Sequence, residues 1–327
     1  MTHGPVVRHA GQRGVALLVA IVLFALATTL AAAITYNKAM AARRAAATFT
    51  MEQALQAGMA AEALAAIVLE SDADKARTSL DQDWAQPLGP VEIEGTGVWI
   101  QAQVEDLSGR FNLNSVVMPD PTGSGTFVED PDQVAVFRQL LHELNIEDRY
   151  ADLLVDWIDS DIAPSGSQGG EDTLYLSQTP PYRPPNTFIS HTSELLALPG
   201  FGAERYKKIA PYVTALPLTA RINVCTAQKL VLDIAKNDPS NQNEFTGSPT
   251  LDEDRKKGCH PTVSDYLAGV STADLKTKAQ ARVLETSSWF RLRTNIRIGT
   301  AEFVLYSVLF REQGKKVRTV QRSFGSE

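Results

Sequence analysis

The sequence predicts an α+β fold in which a long N-terminal helix packs on an antiparallel sheet, with a large helical segment inserted into that sheet. Residues 15–80 place apolar side chains at helical spacing, and the first part of this stretch is apolar on every side. Residues 97–115 and 288–324 instead alternate apolar and polar side chains, as half-buried strands do. Helical spacing returns between these two strand regions, which indicates that the helices there interrupt the sheet.

The composition is that of a folded protein and argues against one class of partner. The chain has 327 residues, of which 44% are hydrophobic and 21% are charged, so it is long enough for two domains or for one domain with a large insertion. Its net charge is −7. An acidic chain is a poor candidate for binding a nucleic-acid backbone, which requires a basic surface, and it suits a calcium-containing compartment better.

The N-terminal helix begins with a segment that is long enough to cross a membrane. Residues Val15–Ile34 contain no charged residue, proline or glycine, and at 1.5 Å per residue they span about 30 Å of helix. Three interpretations are open: a secretory signal cleaved near Ala31–Ala33, an uncleaved anchor, or a span retained after cleavage between Gly14 and Val15. Basic residues lie on both sides of the span, so charge alone does not set its orientation.

The later elements follow from turn and capping signals. Pro87, Gly89 and Pro90 end the N-terminal helical region. Asp130 and Pro131 are suited to the N-cap and the first position of a helix. Further helices are expected at about 147–158, 195–209, 227–236, 263–267 and 273–285, and three strands follow from Ser288, separated by turns at Gly299-Thr300 and Gln313-Gly314.

A weak internal repeat lies within the helical region. GRFNLNS at Gly109–Ser115 resembles ARINVCT at Ala220–Thr226, and each copy leads towards an apolar helix. Thr226 is expected to cap the second of these helices. The repeat predicts two similar small helical modules in tandem, and its irregular spacing does not indicate a solenoid.

Two cysteines, Cys225 and Cys259, lie 34 positions apart. They can form a disulfide if this part of the chain lies in an oxidising compartment such as the periplasm; otherwise they are two unpaired buried thiols. Zinc is not expected, because the chain has no CxxC pair.

Several motifs occur in an order that resembles one protein family from end to end. RGVALLVA at the start of the span is similar to the prepilin signal of type IV pilins and type II secretion pseudopilins, in which cleavage follows the glycine and the new N-terminus is methylated. The whole chain resembles the K-type minor pseudopilin of type II secretion. The motifs that carry this resemblance are RGVALLVA, DLSGRFNLNS, DWIDSD, GGEDTLYL, PPYRPPN, SELLALPGF and RINVCTA.

One residue of the signal departs from the common pattern. Val19 is the fifth residue counted from Val15, where most of the family has a glutamate that is thought to pair with the terminal amine of a neighbouring subunit. An acid in lipid is costly without such a partner. A subunit that lacks it has less reason to sit beneath another, which favours a place at the filament tip, and the K-type subunit characteristically lacks it.

The resemblance implies a domain plan and a set of partners. The plan is a cleaved leader at 1–14, a transmembrane span and stem helix at 15–86, the first strands of a pilin-like body at 87–115, an inserted helical (SAM-like) domain at 116–285 and the C-terminal strands of the body at 286–327. The implied partners are the I- and J-type minor pseudopilins, other pseudopilus subunits and prepilin peptidase. The implied location is the bacterial inner membrane, crossed once, with the bulk of the chain in the periplasm, where the tip complex serves the export of folded proteins through the outer membrane.

The densest group of carboxylates lies in and just before the long loop at 159–190. Carboxylates close together repel one another unless a cation compensates, and calcium accepts six to eight oxygen ligands. The spacing is not that of an EF-hand, because Pro164 stands where glycine is required. The resemblance implies bound calcium, and the expected ligands are Asp159, Asp161, Glu171 and Asp172, with Asn186 as an addition. Asp156 is expected to cap a helix or face solvent, and the alternative is that all these acids form a solvated loop.

Two other functions are weighed against a structural role. The acids could serve hydrolysis, but the chain contains no G-x-S-x-G, HExxH or P-loop motif, so catalysis is not expected. The turn LPGFG resembles a helix-hairpin-helix loop, and with Lys207 and Lys208 it suggests a type IV pilin-like subunit that binds DNA for uptake. Acidic neighbours of this turn favour instead a tight turn packed by Leu198 and Phe201, so no nucleic-acid partner is expected.

Overall fold

The computed structural model describes residues 13–73, 75–312 and 316–325, and the chain divides into two compact units after Gln56. The α-helices are α1 (Arg13–Ser71), α2 (Pro131–Glu143), α3 (Arg149–Ile158), α4 (Asp172–Leu176), α5 (Gly202–Ile209), α6 (Lys229–Lys236), α7 (Leu251–Arg255), α8 (Val263–Ala268) and α9 (Ala273–Arg282). The strands are β1 (Leu88–Ile93), β2 (Val98–Asp106), β3 (Phe111–Asn112), β4 (Val117–Pro119), β5 (Phe127–Glu129), β6 (Val213–Thr214), β7 (Ile222–Asn223), β8 (Val283–Leu284), β9 (Trp289–Ile298), β10 (Ala301–Arg311) and β11 (Val317–Phe324). The α+β fold that the sequence predicts is confirmed.

The first unit is the N-terminal part of α1. Its large apolar side chains between Val15 and Ile34 are exposed, and the helix is long and apolar enough to cross a membrane. An exposed apolar surface of this length is unfavourable in water and suits lipid. The expected cleavage point after Gly14 lies at the start of the helix, and the leader before residue 13 lies outside the described residues.

The second unit, which begins at Ala57, is built on a five-stranded antiparallel sheet with the strand order β1-β2-β9-β10-β11. The C-terminal part of α1 packs on one face of this sheet through Ala61, Ala65 and Leu69. Gly58 permits the close approach, because a Cβ atom there would lie 2.3 Å from Cδ2 of Leu305. The small residues on α1 therefore let the helix lie close to the sheet.

A buried carboxylate also fixes α1 on the sheet. Glu62 on α1 accepts hydrogen bonds from Ser307 on β10 (2.6 Å) and from Thr319 on β11 (2.9 Å), and Arg322 of β11 donates to both of its oxygens at 2.7 and 2.8 Å. Burial raises the pKa of Glu62, but the hydrogen bonds from Arg322, Ser307 and Thr319 outweigh that effect and lower it overall. The acid is therefore charged and fully partnered.

Two details of the body differ from the sequence prediction. Helix α1 ends at Ser71 instead of near Leu80, because the polar residues after 70 offer no apolar stripe to bury. Strand β1 was not predicted, because Gly89 and Pro90 were interpreted as residues that interrupt regular secondary structure. It forms nevertheless as an edge strand with an irregular register between Leu88 and Val91, and edge strands are where proline is tolerated.

The helical insertion leaves the sheet after β2 and returns at β9, two strands that pair directly. Strand β3 pairs with β6 and not with the sheet, so residues 107–115 lie with the insertion, and the boundary expected at 115 moves to 106. The insertion has two hydrophobic clusters, one formed almost entirely by residues 111–213 and one by residues 222–283. We call residues 107–218 the first module and residues 219–285 the second module.

The two modules begin in the same way, as the sequence repeat predicts. In each, a two-residue strand pairs in parallel with the strand that closes the module, β3 with β6 and β7 with β8. The side chain of Asn112 accepts a hydrogen bond from the backbone N–H of Asn114 at 3.2 Å, and Asn223 accepts from the N–H of Cys225 at 3.0 Å. The repeat therefore marks two copies of one local structure.

A buried polar network joins the second module to the sheet at the point where the insertion leaves it. The carboxylate of Asp106, the last residue of β2, accepts hydrogen bonds from Asn223 (3.1 Å), Thr226 (2.6 Å), Ser287 (2.5 Å) and the N–H of Ser108 (2.8 Å). The sequence predicted that Thr226 caps α6, and this prediction is wrong, because the Thr226 hydroxyl binds Asp106 instead. The residue at the N-cap of α6 is Gln228, whose side chain makes no capping hydrogen bond.

Candidate metal centre

Helix α3 brings two carboxylates into the interior of the first module. All residues from Tyr150 to Ile158 are buried, so this short helix is surrounded by protein on every side. Asp156 lies in its last turn, and Asp159 is its C-cap, with its backbone N–H bonded to the carbonyl of Val155 at 2.8 Å. Both side chains are buried, which is unusual for acids that lack a compensating charge.

The loop after α3 is folded around Asp156. Its carboxylate accepts hydrogen bonds from the backbone N–H groups of Ser165 at 2.7 Å and Gly170 at 2.5 Å. Gly169 is required by this path, because a Cβ atom there would lie 2.4 Å from Oδ2 of Asp156 and 2.3 Å from the carbonyl of Ser165. The alternative in which Asp156 faces solvent is therefore wrong: it is buried, and it directs the loop so that Glu171 returns to the end of α3.

Three carboxylates meet at this point. Side-chain oxygens of Asp156, Asp159 and Glu171 all lie within 4.8 Å of one another. Oδ1 of Asp159, Oε1 of Glu171 and Oδ1 of Asn186 are buried and have no hydrogen-bond partner. A buried oxygen without a donor costs about 1–3 kcal/mol, and more when it is charged, so this group of oxygens requires a cation or protons.

The electrostatics of the three carboxylates are consistent with that requirement. Burial, together with the charges of Asp161, Asp156 and Glu171, raises the pKa of Asp159 to about 8. Burial and the neighbouring carboxylates raise the pKa of Glu171 to about 7. Burial also raises the pKa of Asp156, although the N–H donors of the loop oppose this. Without a cation the site therefore takes up protons near neutral pH.

The other expected ligands lie in different surroundings. Asp161 is exposed at the rim, and its carboxylate accepts from the N–H of Ala163 at 2.8 Å. The carbonyl of Asp161 accepts from the side-chain amide of Asn186 at 3.3 Å, and this bond ties Asn186 to the loop. Asp172 forms an ion pair with Arg183 and lies outside the group of three carboxylates.

One residue near the site was not recognised from the sequence. The hydroxyl of Tyr175 on α4 is buried and has no hydrogen-bond partner. Burial raises its pKa, and the charges of Asp156 and Glu171 contribute to the shift. Its ring packs against Trp157 and Tyr182, so it was indistinguishable in the sequence from an ordinary core aromatic residue.

The remaining sequence candidates have structural explanations. Leu198 and Phe201 of the LPGFG turn are buried. Lys207 pairs with Glu204 at 3.0 Å, and Lys208 donates to the carbonyl of Leu144 at 3.5 Å. Cys225 and Cys259 form a disulfide, and their Cα atoms are 4.5 Å apart. The disulfide links the segment just after β7 to the loop before α8 in the second module.

The oxygen set indicates the kind of ion that would fit. Carboxylate and amide oxygens are ligands for hard cations, and a loop that adapts its shape to the ion suits calcium better than the rigid octahedron of magnesium. The group contains no cysteine or histidine ligand, which zinc prefers.

Comparisons with known proteins agree with this fold. The family model for type II secretion system (T2SS) protein K matches residues 109–218, which is nearly the whole first module. Type II secretion system protein K of Pectobacterium carotovorum is 32% identical, with 96% of this chain and 97% of the relative covered. The protein of the same description from Pseudomonas aeruginosa is 30% identical, with 96% and 93% covered.

A solved structure has the same fold. The chain is similar to a chain of the GspK-GspI-GspJ complex from the type 2 secretion system of enterotoxigenic Escherichia coli, with a TM-score of 0.70 and 23% sequence identity. The match covers 87% of this chain and 100% of that chain. The α+β fold is thus shared with a protein of known structure.

Proposed function

The chain belongs to the type II secretion system protein K family, and we propose that it is a minor pseudopilin that occupies the tip of the pseudopilus and initiates its assembly. The observation that carries the proposal is the insertion of two helical modules, residues 107–285, into a sheet that packs on the N-terminal helix. A subunit inside a filament must accept neighbours on both sides. A body enlarged by such an insertion is easier to place at the end, where no subunit follows it.

The exposed apolar part of α1 would anchor the chain in the inner membrane before assembly, with the bulk of the chain in the periplasm. The disulfide between Cys225 and Cys259 supports this location, because disulfides persist in oxidising compartments. Prepilin peptidase would cut after Gly14 and expose Val15 for methylation. Position 19 is a valine and not an acid. This fits a subunit at the tip, because no neighbouring subunit above it presents a terminal amine that an acid at this position would pair with.

The proposed partners are the I- and J-type minor pseudopilins. The support is that the solved relative was crystallised as a GspK-GspI-GspJ complex. Such a tip complex would prime the pseudopilus, whose growth drives folded proteins through the outer membrane. The role is one of assembly, without catalysis.

We further propose that the carboxylate cluster of the first module binds calcium. Asp159 and Glu171 would supply carboxylate oxygens, and Asn186 would supply an amide oxygen, since these are the buried oxygens that lack donors. Asp156 would orient the loop and contribute a third carboxylate. The ion would supply charge compensation and fix the loop, and it would have no part in a reaction.

The first experiment determines the mature N-terminus by mass spectrometry of protein extracted from membranes. We expect a chain that begins at Val15 with a methylated amine. A chain that keeps Met1, or one that begins near Ala33, would contradict the pseudopilin assignment, because neither product comes from prepilin cleavage.

The second experiment tests the partners by co-purification with I- and J-type minor pseudopilins from the same organism. We expect a complex with one copy of each chain that survives gel filtration. A variant from which residues 107–286 are deleted provides a comparison for whether the insertion is needed for binding. Failure of the intact chain to associate with either partner would contradict the proposed tip complex.

The third experiment measures the melting temperature of the protein with EDTA and with added calcium. We expect calcium to raise it, and the double variant Asp159→Ala/Glu171→Ala to lose that response. Asp172→Ala is the matched control, because Asp172 is in the same sequence segment but pairs with Arg183. Calcium should bind more weakly as the pH falls below about 7, because protons compete for carboxylates with raised pKa values. A calcium response that the double variant retains would place the ion elsewhere.

A further inference from the structure

The end of α6 in the second module is built like the end of α3 in the first. Residues 230–238 read LVLDIAKND, and residues 153–161 read LLVDWIDSD, so an aspartate follows three apolar residues in both. The carboxylate of Asp233 accepts hydrogen bonds from the backbone N–H groups of Phe245 at 2.9 Å and Thr246 at 2.8 Å. Asp156 does the same for its own loop, so in each module an aspartate in the last helical turn folds the following loop around itself.

The last acid in each segment also plays the same part. Asp238, five residues after Asp233, accepts from the N–H of Ser240 at 3.0 Å. Asp161, five residues after Asp156, accepts from the N–H of Ala163 at 2.8 Å. Both are turns in which a carboxylate binds the amide two residues further on. The two loops therefore share their first and their last anchoring residues.

The position between these anchors differs in charge. Three residues after the first aspartate, the first module has Asp159 and the second has Lys236. Lys236 is fully buried, and its ammonium contacts the carboxylate of Glu244. The same ammonium lies 4.6 Å from the ring centre of Phe245 and 5.6 Å from that of Tyr266. A buried ammonium is stable only with such partners.

We propose that the Lys236 ammonium is the built-in counterpart, in the second module, of the cation that Asp159 and Glu171 bind in the first. The inference rests on the calcium site proposed above. In the first module Asp159 and Glu171 each keep a buried oxygen without a donor, and a bound cation would compensate their charge. In the second, the lysine supplies that charge to Glu244 from within the chain. Only the loop of the first module then depends on a divalent cation.

The geometry of the side chains agrees with this exchange. A lysine side chain is longer than an aspartate side chain by about the length of a carboxylate–calcium contact, ~2.4 Å. An ammonium at the end of a lysine can therefore reach the place of an ion that an aspartate would hold. Gly269 leaves room for it, because a Cβ atom there would lie 3.0 Å from Nζ of Lys236.

The experiment measures amide hydrogen exchange by mass spectrometry in the full chain, with millimolar calcium or with EGTA. It compares peptides that cover the first loop, residues 160–171, with peptides that cover the second, residues 237–246. In the unchanged protein we expect calcium to slow exchange about tenfold in the first loop and to leave the second loop as it was.

Two substitutions in the first loop separate the possibilities. Asp159→Lys should keep the first loop protected in EGTA and remove its response to calcium, whereas Asp159→Ala should leave it unprotected in both conditions. Ile162→Lys is the matched control, because this side chain is 83% exposed in the same loop and the substitution places a lysine ammonium outside the site. If the Asp159→Lys loop exchanges as fast as the Asp159→Ala loop, the proposal is wrong.

Two substitutions of the lysine provide an independent readout if Asp159→Lys does not fold. Lys236→Met should speed exchange in the second loop with and without calcium, and Lys236→Asp should make that loop respond to calcium. A second loop that stays protected in Lys236→Met overturns the proposal, as does a response of the second loop to calcium in the unchanged protein. If the unchanged first loop does not respond to calcium, the failure lies instead with the proposed calcium site.

Discussion

Individual buried acids in this protein differ in whether the chain itself satisfies them. Glu62 and Asp106 each accept several hydrogen bonds from protein donors, and both hold segments together that are distant in sequence. Asp159 and Glu171 each keep a buried oxygen without any donor. The sequence shows only that all four are acids. Their donors lie on other elements, so their roles become visible only when those elements are in place.

The pH dependence of stability should report on Glu62. Glu62→Gln removes the charge that Arg322 contacts, and we expect it to lower the free energy of unfolding by about 2 kcal/mol at neutral pH. Because the pKa of Glu62 is lowered in the folded protein, its contribution is complete above its unfolded value of 4.5 and is lost as the pH falls through the folded value. Urea denaturation of both proteins between pH 7 and pH 3 measures this difference. A difference that stays constant down to pH 3 would contradict the assigned contact.

At the scale of elements, short parallel strand pairs close each module. The repeat of Asn112 and Asn223 could be recognised in the sequence as the start of two similar modules, which the structure begins with β3 and β7. Their partners β6 and β8 could not, because strands of two residues carry no periodic signal and lie far along the chain from β3 and β7. Elements of this length are stabilised by the hydrogen bonds of the asparagine side chains and by the surrounding core.

Replacing Asn223 should loosen the second module from the sheet. Its side-chain amide donates to the carbonyl of Thr78, to Asp106 and to Ser287. Asn223→Ala would leave these buried acceptors short of a donor, so we expect a loss of about 2–4 kcal/mol in the free energy of unfolding. Asn241→Ala, on a more exposed loop, is the comparison and should cost less. Equal losses in chemical denaturation would argue against the role of Asn223 at the junction.

The disulfide should stabilise the second module selectively. It closes a loop with a sequence separation of 34 residues, and a bridge over such a loop contributes about 3–4 kcal/mol by restricting the unfolded chain. With Cys225→Ser/Cys259→Ser, hydrogen exchange should accelerate in residues 219–285 more than in the first module. Uniform acceleration across both modules would show that they unfold as one cooperative unit.

At the scale of the second unit, which begins at Ala57, the sheet is complete without the insertion. Asp106 and Phe290 are paired neighbours on β2 and β9, and the side chains of Asp106 and Ser287 are hydrogen-bonded at 2.5 Å. The chain thus leaves and re-enters the sheet at adjacent points. This arrangement lets a large helical domain be carried without a change in the strand order of the body.

Removing residues 107–286 and joining the ends through a short glycine–serine linker should therefore leave a folded body. We expect a cooperative thermal transition, a circular dichroism spectrum richer in strand, and no stabilisation by calcium. Keeping the calcium response in this variant would show that the ion lies outside the first module. A chain without a cooperative transition would show that the body depends on the insertion for its stability.

The sequence by itself determined the features that depend on neighbouring residues. The apolar run Val15–Ile34, the alternation in β9 to β11, the Asp130-Pro131 start of α2 and the repeated asparagine turns follow from local spacing, because helices and strands have fixed periods. The motif order also predicted the family. The expected set of calcium ligands could be given only as a group of nearby acids, and calcium itself stays a prediction.

The tertiary structure decided which of those acids meet. It placed Asp159 and Glu171 together and left the pair of Asp172 with Arg183 outside, because the path of the loop is set by backbone donors that bind Asp156. It also added β1 to the sheet, where pairing with β2 outweighs the local preference of Gly89 and Pro90 to break a strand. Burial and convergence of side chains depend on how distant segments pack, and spacing along the chain does not contain that information.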